Sequence, residues 1–75
     1  MTKIGFGGLV INHVKEMRVS LGITQQELGD LLKVSRQTIF SIETGKYVPS
    51  TILSIKISKI FTKSVEEVFV LEEKD

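Results

Sequence analysis

Residues 24–50 read TQQELGDLLKVSRQTIFSIETGKYVPS, and two short helices joined by a tight turn can be traced through them. Thr24 and Glu27 stand at the T-x-x-E spacing of a capping box, so a helix opens at Thr24. Leu28, Leu31 and Leu32 are its expected buried stripe. Gly29 falls where the next helix must cross closely, and a large side chain there would push the two apart. Ser35 then starts a second run, Ser35 to Glu43, which Thr44-Gly45 closes. Val34 and Ile39 can fill the angle between the helices, and Ile42 can carry the second onto a core. The loop Lys46-Tyr47-Val48-Pro49 follows, and Ser50 can cap a further helix.

Working outward, Val14, Met17 and Leu21 recur three and four residues apart, which predicts a first helix over Asn12 to Leu21 ending at Gly22, a left-handed cap. The helix that Ser50 opens reaches Phe61, with Leu53, Ile57, Ile60 and Phe61 as its stripe. Ser64 with Glu67 is a second capping box and opens a last short helix, Val65 to Phe69. Val68-Phe69-Val70-Leu71 is β-prone, which allows the end to leave the helix as a strand. The expected fold is therefore all-α with five helices and room for a short C-terminal strand. Residues 1–11, carrying Gly5, Gly7 and Gly8, form an N-terminal arm; 12–69 are the helical domain; 70–75 are an acidic tail.

Seventy-five residues suffice for one small core and not for two. With 41% hydrophobic and 25% charged residues the chain has globular composition, not that of a disordered one. The absence of cysteine excludes a disulfide framework and a Cys-rich zinc site, and a single histidine leaves no His-only metal site or His relay. No apolar run approaches the ~20 residues that span a bilayer, and no cleavage-type pattern follows Lys3, so a cytoplasmic protein is expected. Gly5-Phe6-Gly7-Gly8 lacks the preceding strand and spacing of a nucleotide-binding loop. A small helical bundle with one histidine offers no cleft to desolvate a nucleophile. Neither enzyme activity, nor a cofactor, nor a metal, nor a small-molecule ligand is expected. Up to Lys63 nine basic residues face four acids; after it five acids face one lysine. A basic body with an acidic end suits a polyanion-binding face kept apart from a repelling one.

Two short helices joined by three or four residues are the helix-turn-helix arrangement. With Ile39 and Ile42 turned inward, Arg36, Gln37, Phe40, Ser41 and Thr44 share the outer arc of the second helix. Arg can pair bidentately with guanine and Gln with adenine on the major-groove edge, Phe40 suits a thymine methyl, and Ser41 lets the groove floor approach. Gln25 sits at a helix start, where free backbone N–H groups attract phosphate. Lys46 and Tyr47 flank the groove, Lys46 on phosphate, with packing of Tyr47 against Pro49 as the alternative. Lys33, Ser35, Thr38 and Thr44 complete the candidate phosphate contacts.

Leu21 to Leu28, Val34 to Ile39 and Ile42 to Ser50 resemble the lambda-repressor-like (Cro and phage-repressor, XRE-type) helix-turn-helix family, with likeness over about residues 12 to 69. Ser64 to Phe69 is similar to the final turn of its small stand-alone members. The resemblance implies a five-helix DNA-binding domain acting as a transcriptional regulator, usually as a homodimer on a palindrome of double-stranded DNA. It also implies that Arg18 pairs with Glu43 and that neither touches bases. The sequence departs from the family at Lys33, where a turn glycine is usual, and at Thr44, Ile52 and Thr62. Lys33 must then adopt a left-handed backbone, at a cost of about 1 kcal/mol.

Ile52 and Ile55 extend the apolar surface of the fourth helix beyond its core stripe, with Thr51 and Ser58 nearby. That surface is the expected dimer seam, together with the C-terminal segment and partly covered by the arm. Repression is the favoured direction, since it needs only promoter occupancy. The alternatives are an antitoxin or phage-type switch that also holds a partner protein, and a protein-interaction module that has lost DNA binding. Arg36 and Gln37 count against the latter.

Overall fold

The structure is a computed structural model, and it describes residues 10–71. The element order is β1 (Val10–Asn12), α1 (Val14–Ser20), α2 (Gln25–Leu32), α3 (Arg36–Glu43), α4 (Thr51–Phe61), α5 (Val65–Val68) and β2 (Phe69–Leu71). Residues 1–9 of the arm, with its glycine run, and residues 72–75 of the tail lie outside the described residues.

Four of the five helices open on an N-cap residue whose own side chain accepts from a free backbone N–H. Thr24 Oγ1 accepts from the Glu27 amide at 3.0 Å, and the Glu27 carboxylate accepts from the Thr24 amide at 2.8 Å. Ser64 and Glu67 repeat this box at α5, with distances of 3.1 and 2.8 Å. Its hydrogen bonds, the Ser64 backbone N–H first and then the hydroxyl, hold the Glu67 carboxyl below the usual carboxylate range. Ser35 and Ser50 cap α3 and α4. At the other ends, Gly22 and Gly45 take positive φ, as do Lys33 (φ 61°) and Thr62 (φ 57°) at the C-caps of α2 and α4.

The first helix is shorter than its apolar spacing predicts. It begins at Val14, because Asn12 belongs to β1 and acts as the start signal through its side chain: Asn12 Oδ1 accepts from the Val14 amide at 3.1 Å. Its Nδ2 donates to the Ile42 carbonyl at 2.8 Å, tying the start of α1 to the last turn of α3. In the first turn of α1 the Glu16 carboxyl is held below its usual range by its own backbone amide and then by His13.

The core is Val14, Leu28, Leu32, Ile39, Ile42, Ile57, Phe61 and Val68, with Met17, Ile23, Val34, Leu53, Ile60 and Phe69 packed around it. Two expected stripe members are not in it. Leu31 is 60% exposed, because α2 turns Leu28, Gly29 and Leu32 inward and that rotation leaves Leu31 just outside the arc. Leu21 is also exposed, lying one residue past the end of α1. Ser58, expected near the outer surface of α4, is buried and donates to the Ile55 carbonyl at 2.7 Å.

The all-α expectation is corrected by a two-stranded sheet. The β-prone C-terminal run does form a strand, and its partner comes from the segment assigned to the arm: Val10 pairs with Leu71, Ile11 with Val70 and Asn12 with Phe69, antiparallel. The amide of His13 donates to the Val68 carbonyl at 2.9 Å, so the ribbon continues into the contact between α1 and α5. The ribbon thus crosses both boundaries drawn at residues 11 and 69. Among the described residues no helix is long and apolar enough to cross a membrane.

Candidate nucleic-acid interface

The site is built on the crossing of α2 and α3. A Cβ placed on Gly29 would lie 2.7 Å from the Val34 carbonyl oxygen, so the turn backbone occupies the space a side chain would need. The same turn is closed by the Val34 amide donating to the Gly29 carbonyl at 2.9 Å. Lys33 takes the left-handed position that makes this turn possible, as the missing glycine requires.

On α3, Ile39 and Ile42 are fully buried, which fixes the rotation of the helix. Arg36, Gln37, Phe40 and Thr44 are exposed on the other side, with Ser41 partly covered beside them. Successive residues turn by about 100°, so Arg36, Phe40, Thr44, Gln37 and Ser41 fall in one continuous arc of about 140°. Phe40 is 40% exposed, an apolar ring standing on a polar surface. Beyond the helix, the amides of Lys46 and Tyr47 both donate to the Ser41 carbonyl, at 2.9 and 3.2 Å. This folds the loop back and leaves both side chains exposed at the C-terminal edge of α3, while Pro49 is buried.

Glu43 would repel phosphate if it were free, and it is not. Arg18 Nε donates to Glu43 Oε2 at 2.6 Å and Nη2 to Oε1 at 3.3 Å, with side-chain exposures of 12% and 3%. Arg18 Nη1 also donates to the Ile23 carbonyl at 2.9 Å. This fork binds α1, the α1–α2 loop and α3 together and neutralises the acid nearest the outer arc.

The candidate phosphate contacts divide by what already holds them. The Gln25 amide nitrogen donates to Glu43 Oε1 at 3.1 Å, and its oxygen accepts from Arg36 Nη1 at 3.5 Å, so Gln25 joins the buried pair to the first residue of α3. Ser35 Oγ accepts from the Thr38 amide at 3.1 Å and lies 3.0 Å from Thr38 Oγ1. Thr44 Oγ1 donates to the Phe40 carbonyl at 2.9 Å and the Ser41 carbonyl at 3.3 Å. Lys46 and Tyr47 make no side-chain hydrogen bond among the described residues. Lys33 borders a groove with Lys56 and Lys59 of α4, not with the outer arc of α3. Asn12 and the diverted role of Gln25 were missed from sequence; neither bond lies within one element, so no local spacing announces it.

Two short helices crossing at a tight turn, the second with an exposed outer arc, make this a helix-turn-helix class of protein. The helix-turn-helix family model matches residues 14–68, and the chain belongs to that family, in its lambda-repressor-like, XRE-type branch. This is a family of DNA-binding transcriptional regulators and not of enzymes. The chain is 48% identical over 64 residues to the HTH-type transcriptional regulator YgzD of Bacillus subtilis, covering 85% of this chain and 97% of that one. An HTH-type transcriptional regulator of Methanocaldococcus jannaschii is 45% identical over 62 residues, covering 83% and 94%. Among solved structures, the restriction-modification controller protein C.AhdI of Aeromonas hydrophila has the same fold, with a TM-score of 0.65 over 72% of this chain and 78% of that one, at 22% identity.

Proposed function

We propose that this protein is a sequence-specific transcriptional repressor of the cytoplasm that binds a palindromic operator as a homodimer and acts by occupancy, without catalysis, cofactor or metal. The observation that carries this reading is the outer arc of α3, with Arg36, Gln37 and Phe40 exposed and Ser41 partly covered, beside an acid that Arg18 has neutralised. In this motif the N-terminal residues of the second helix enter the major groove first. Arg36 and Gln37 then read base edges, Phe40 packs on a thymine methyl and Ser41 lets the backbone approach. Lys46 and Tyr47 hold phosphates at one edge of the groove, and the first turns of α2 and α3, with Gln25, Ser35 and Thr38, hold them at the other. Thr44 and Lys33 stand as the outlying backbone contacts. Gln25 can serve both partners, since its amide can meet a phosphate while its oxygen steadies Arg36.

A selected-binding-site experiment on the wild type, Arg36→Ala and Phe40→Ala at one salt concentration tests this. Arg36→Ala removes a bidentate partner worth about 1–3 kcal/mol and relaxes one base pair in each half-site. The two relaxed positions lie symmetrically, with half-sites about one helical turn apart. Phe40→Ala relaxes a neighbouring position more weakly. Unchanged preferences in both variants refute readout by α3, and a relaxed position without its symmetric twin refutes the homodimer.

A further inference from the structure

Between α2 and α4 lies a groove of about 300 Å³ lined by Leu31, Leu32, Lys33, Lys56, Lys59 and Ile60. Its apolar lining is not all spent on the core: Leu32 is buried and Ile60 half-buried, but Leu31 is 60% exposed. Its cations come from both walls. Lys56 and Lys59, three residues apart, share one face of α4, and Lys33 stands opposite at the C-cap of α2. All three are exposed, and among the described residues none lies within ion-pair distance of a carboxylate.

The nearby acids of α2 are engaged elsewhere. Glu27 and Asp30 line a neighbouring groove that shares only Leu31 with this one. There Glu27 is held in the Thr24 capping box, and Asp30 accepts from Gln26 Nε2 at 3.0 Å. Leu31 thus partitions an acidic groove from a cationic one. A cleft of one sign of charge with apolar walls focuses its field on an ion inside it. Lys33 adds its charge from a left-handed position where glycine would carry no strain.

Three features select the occupant. Ammonium groups from both walls suit an anion with several charges close together, and lysine binds phosphate as a point charge. The volume stands at the small end of ligand sites, so the occupant is a small molecule. A rounded duplex would meet only the rim and leave Leu31 and Ile60 uncovered. Those two side chains call for a flat or apolar body beside the charged group. We infer that this groove binds a nucleoside polyphosphate, its phosphates between Lys33, Lys56 and Lys59 and its base on Leu31 and Ile60. The inference goes beyond the repressor reading, in which Lys33 is an outlying backbone contact and Lys56 and Lys59 have no part.

Calorimetric titration of the full chain without DNA, at one low salt concentration, tests it with ATP, tripolyphosphate and adenosine. ATP is expected to bind one per chain, about tenfold more tightly than tripolyphosphate, with adenosine weaker than both. Lys56→Gln/Lys59→Gln weakens ATP about tenfold with helical circular dichroism unchanged. Lys33→Gly weakens ATP while raising Tm, so the loss cannot come from unfolding. Leu31→Ser narrows the gap between ATP and tripolyphosphate. A wild type that binds no ATP, or binds tripolyphosphate equally well, overturns the inference, as does unchanged ATP affinity in the lysine variants. ATP binding lost in Arg36→Ala/Lys46→Ala and kept in Lys56→Gln/Lys59→Gln places the anion on the operator face and overturns it too. So does a flatter salt slope of operator binding in Lys56→Gln/Lys59→Gln, which makes these lysines DNA contacts. Each titration is read without DNA, so failure of the repressor reading leaves this result intact.

Discussion

Removing Arg18 tests the element that holds α3 in place. In Arg18→Ala the Glu43 carboxylate, 3% exposed in the native pair, keeps only the Gln25 amide at 3.1 Å, and the Ile23 carbonyl loses its donor. Breaking a buried pair from one side costs about 3–5 kcal/mol, because the remaining charge stays desolvated. Arg18 is itself 12% exposed, so water can reach the gap and the lower figure applies. In a domain of this size about 3 kcal/mol corresponds to a fall in Tm of roughly 12–24 °C. The assay is thermal unfolding followed by circular dichroism, with site selection on the same variant below its transition. The expected result is a large loss of Tm and an unchanged preferred operator. Arg18→Met/Glu43→Met, which removes both charges, recovers most of the loss. A single variant that melts within a degree or two of wild type, as an exposed pair would allow, refutes the buried lock. A normal Tm with a shifted operator makes Arg18 a reader and sinks the structural assignment.

Four further outcomes are expected. Lys46→Ala weakens binding to every duplex about equally and flattens the slope of log affinity against log salt by roughly one; loss confined to one sequence excludes a phosphate contact. Gly29→Val forces branched carbons into the Val34 carbonyl, where even a Cβ stands at 2.7 Å, so stability falls by at least about 1–3 kcal/mol and operator binding is lost with it. A Gly29→Val protein that binds normally shows that the turn can back away. Thr62→Gly relieves a β-branched residue at φ 57° and raises Tm by several degrees, on the order of 1 kcal/mol, in the same melting assay. Because the folded-state pKa of Glu67 is depressed, its stabilisation of α5 is complete above the ordinary carboxylate value and is lost as pH falls from there through the depressed one. Amide exchange of α5 across that acid window should lose this dependence in Glu67→Gln, and identical profiles in the two proteins exclude the capping box as its source.

Sequence alone determined whatever is settled within a turn or two of chain. Thr24 with Glu27, Ser64 with Glu67, and the lone caps Ser35 and Ser50 act across three residues, so their spacing names the helix starts without any tertiary knowledge. The left-handed backbone at Lys33 was legible through the family's usual turn glycine and not through spacing, while the outer arc of α3 follows from the inward turn of Ile39 and Ile42. The Arg18–Glu43 pair spans 25 positions, and it was legible through the family resemblance and not through spacing. Tertiary structure decided the remainder. Strand β1 exists because β2 is there to pair with it, and nothing within Val10–Asn12 itself announces a strand. Leu31 faces out because the burial of Gly29 against the turn sets the rotation of α2, which hydrophobic spacing cannot resolve to within one residue. Gln25 adds its amide to Glu43 beside the Arg18 fork, and Asn12 adds its amide to the Ile42 carbonyl, across separations of 18 and 30 positions. Hydrogen bonds across such separations form only after the chain has collapsed, so they belong to the folded core and not to any stretch of sequence.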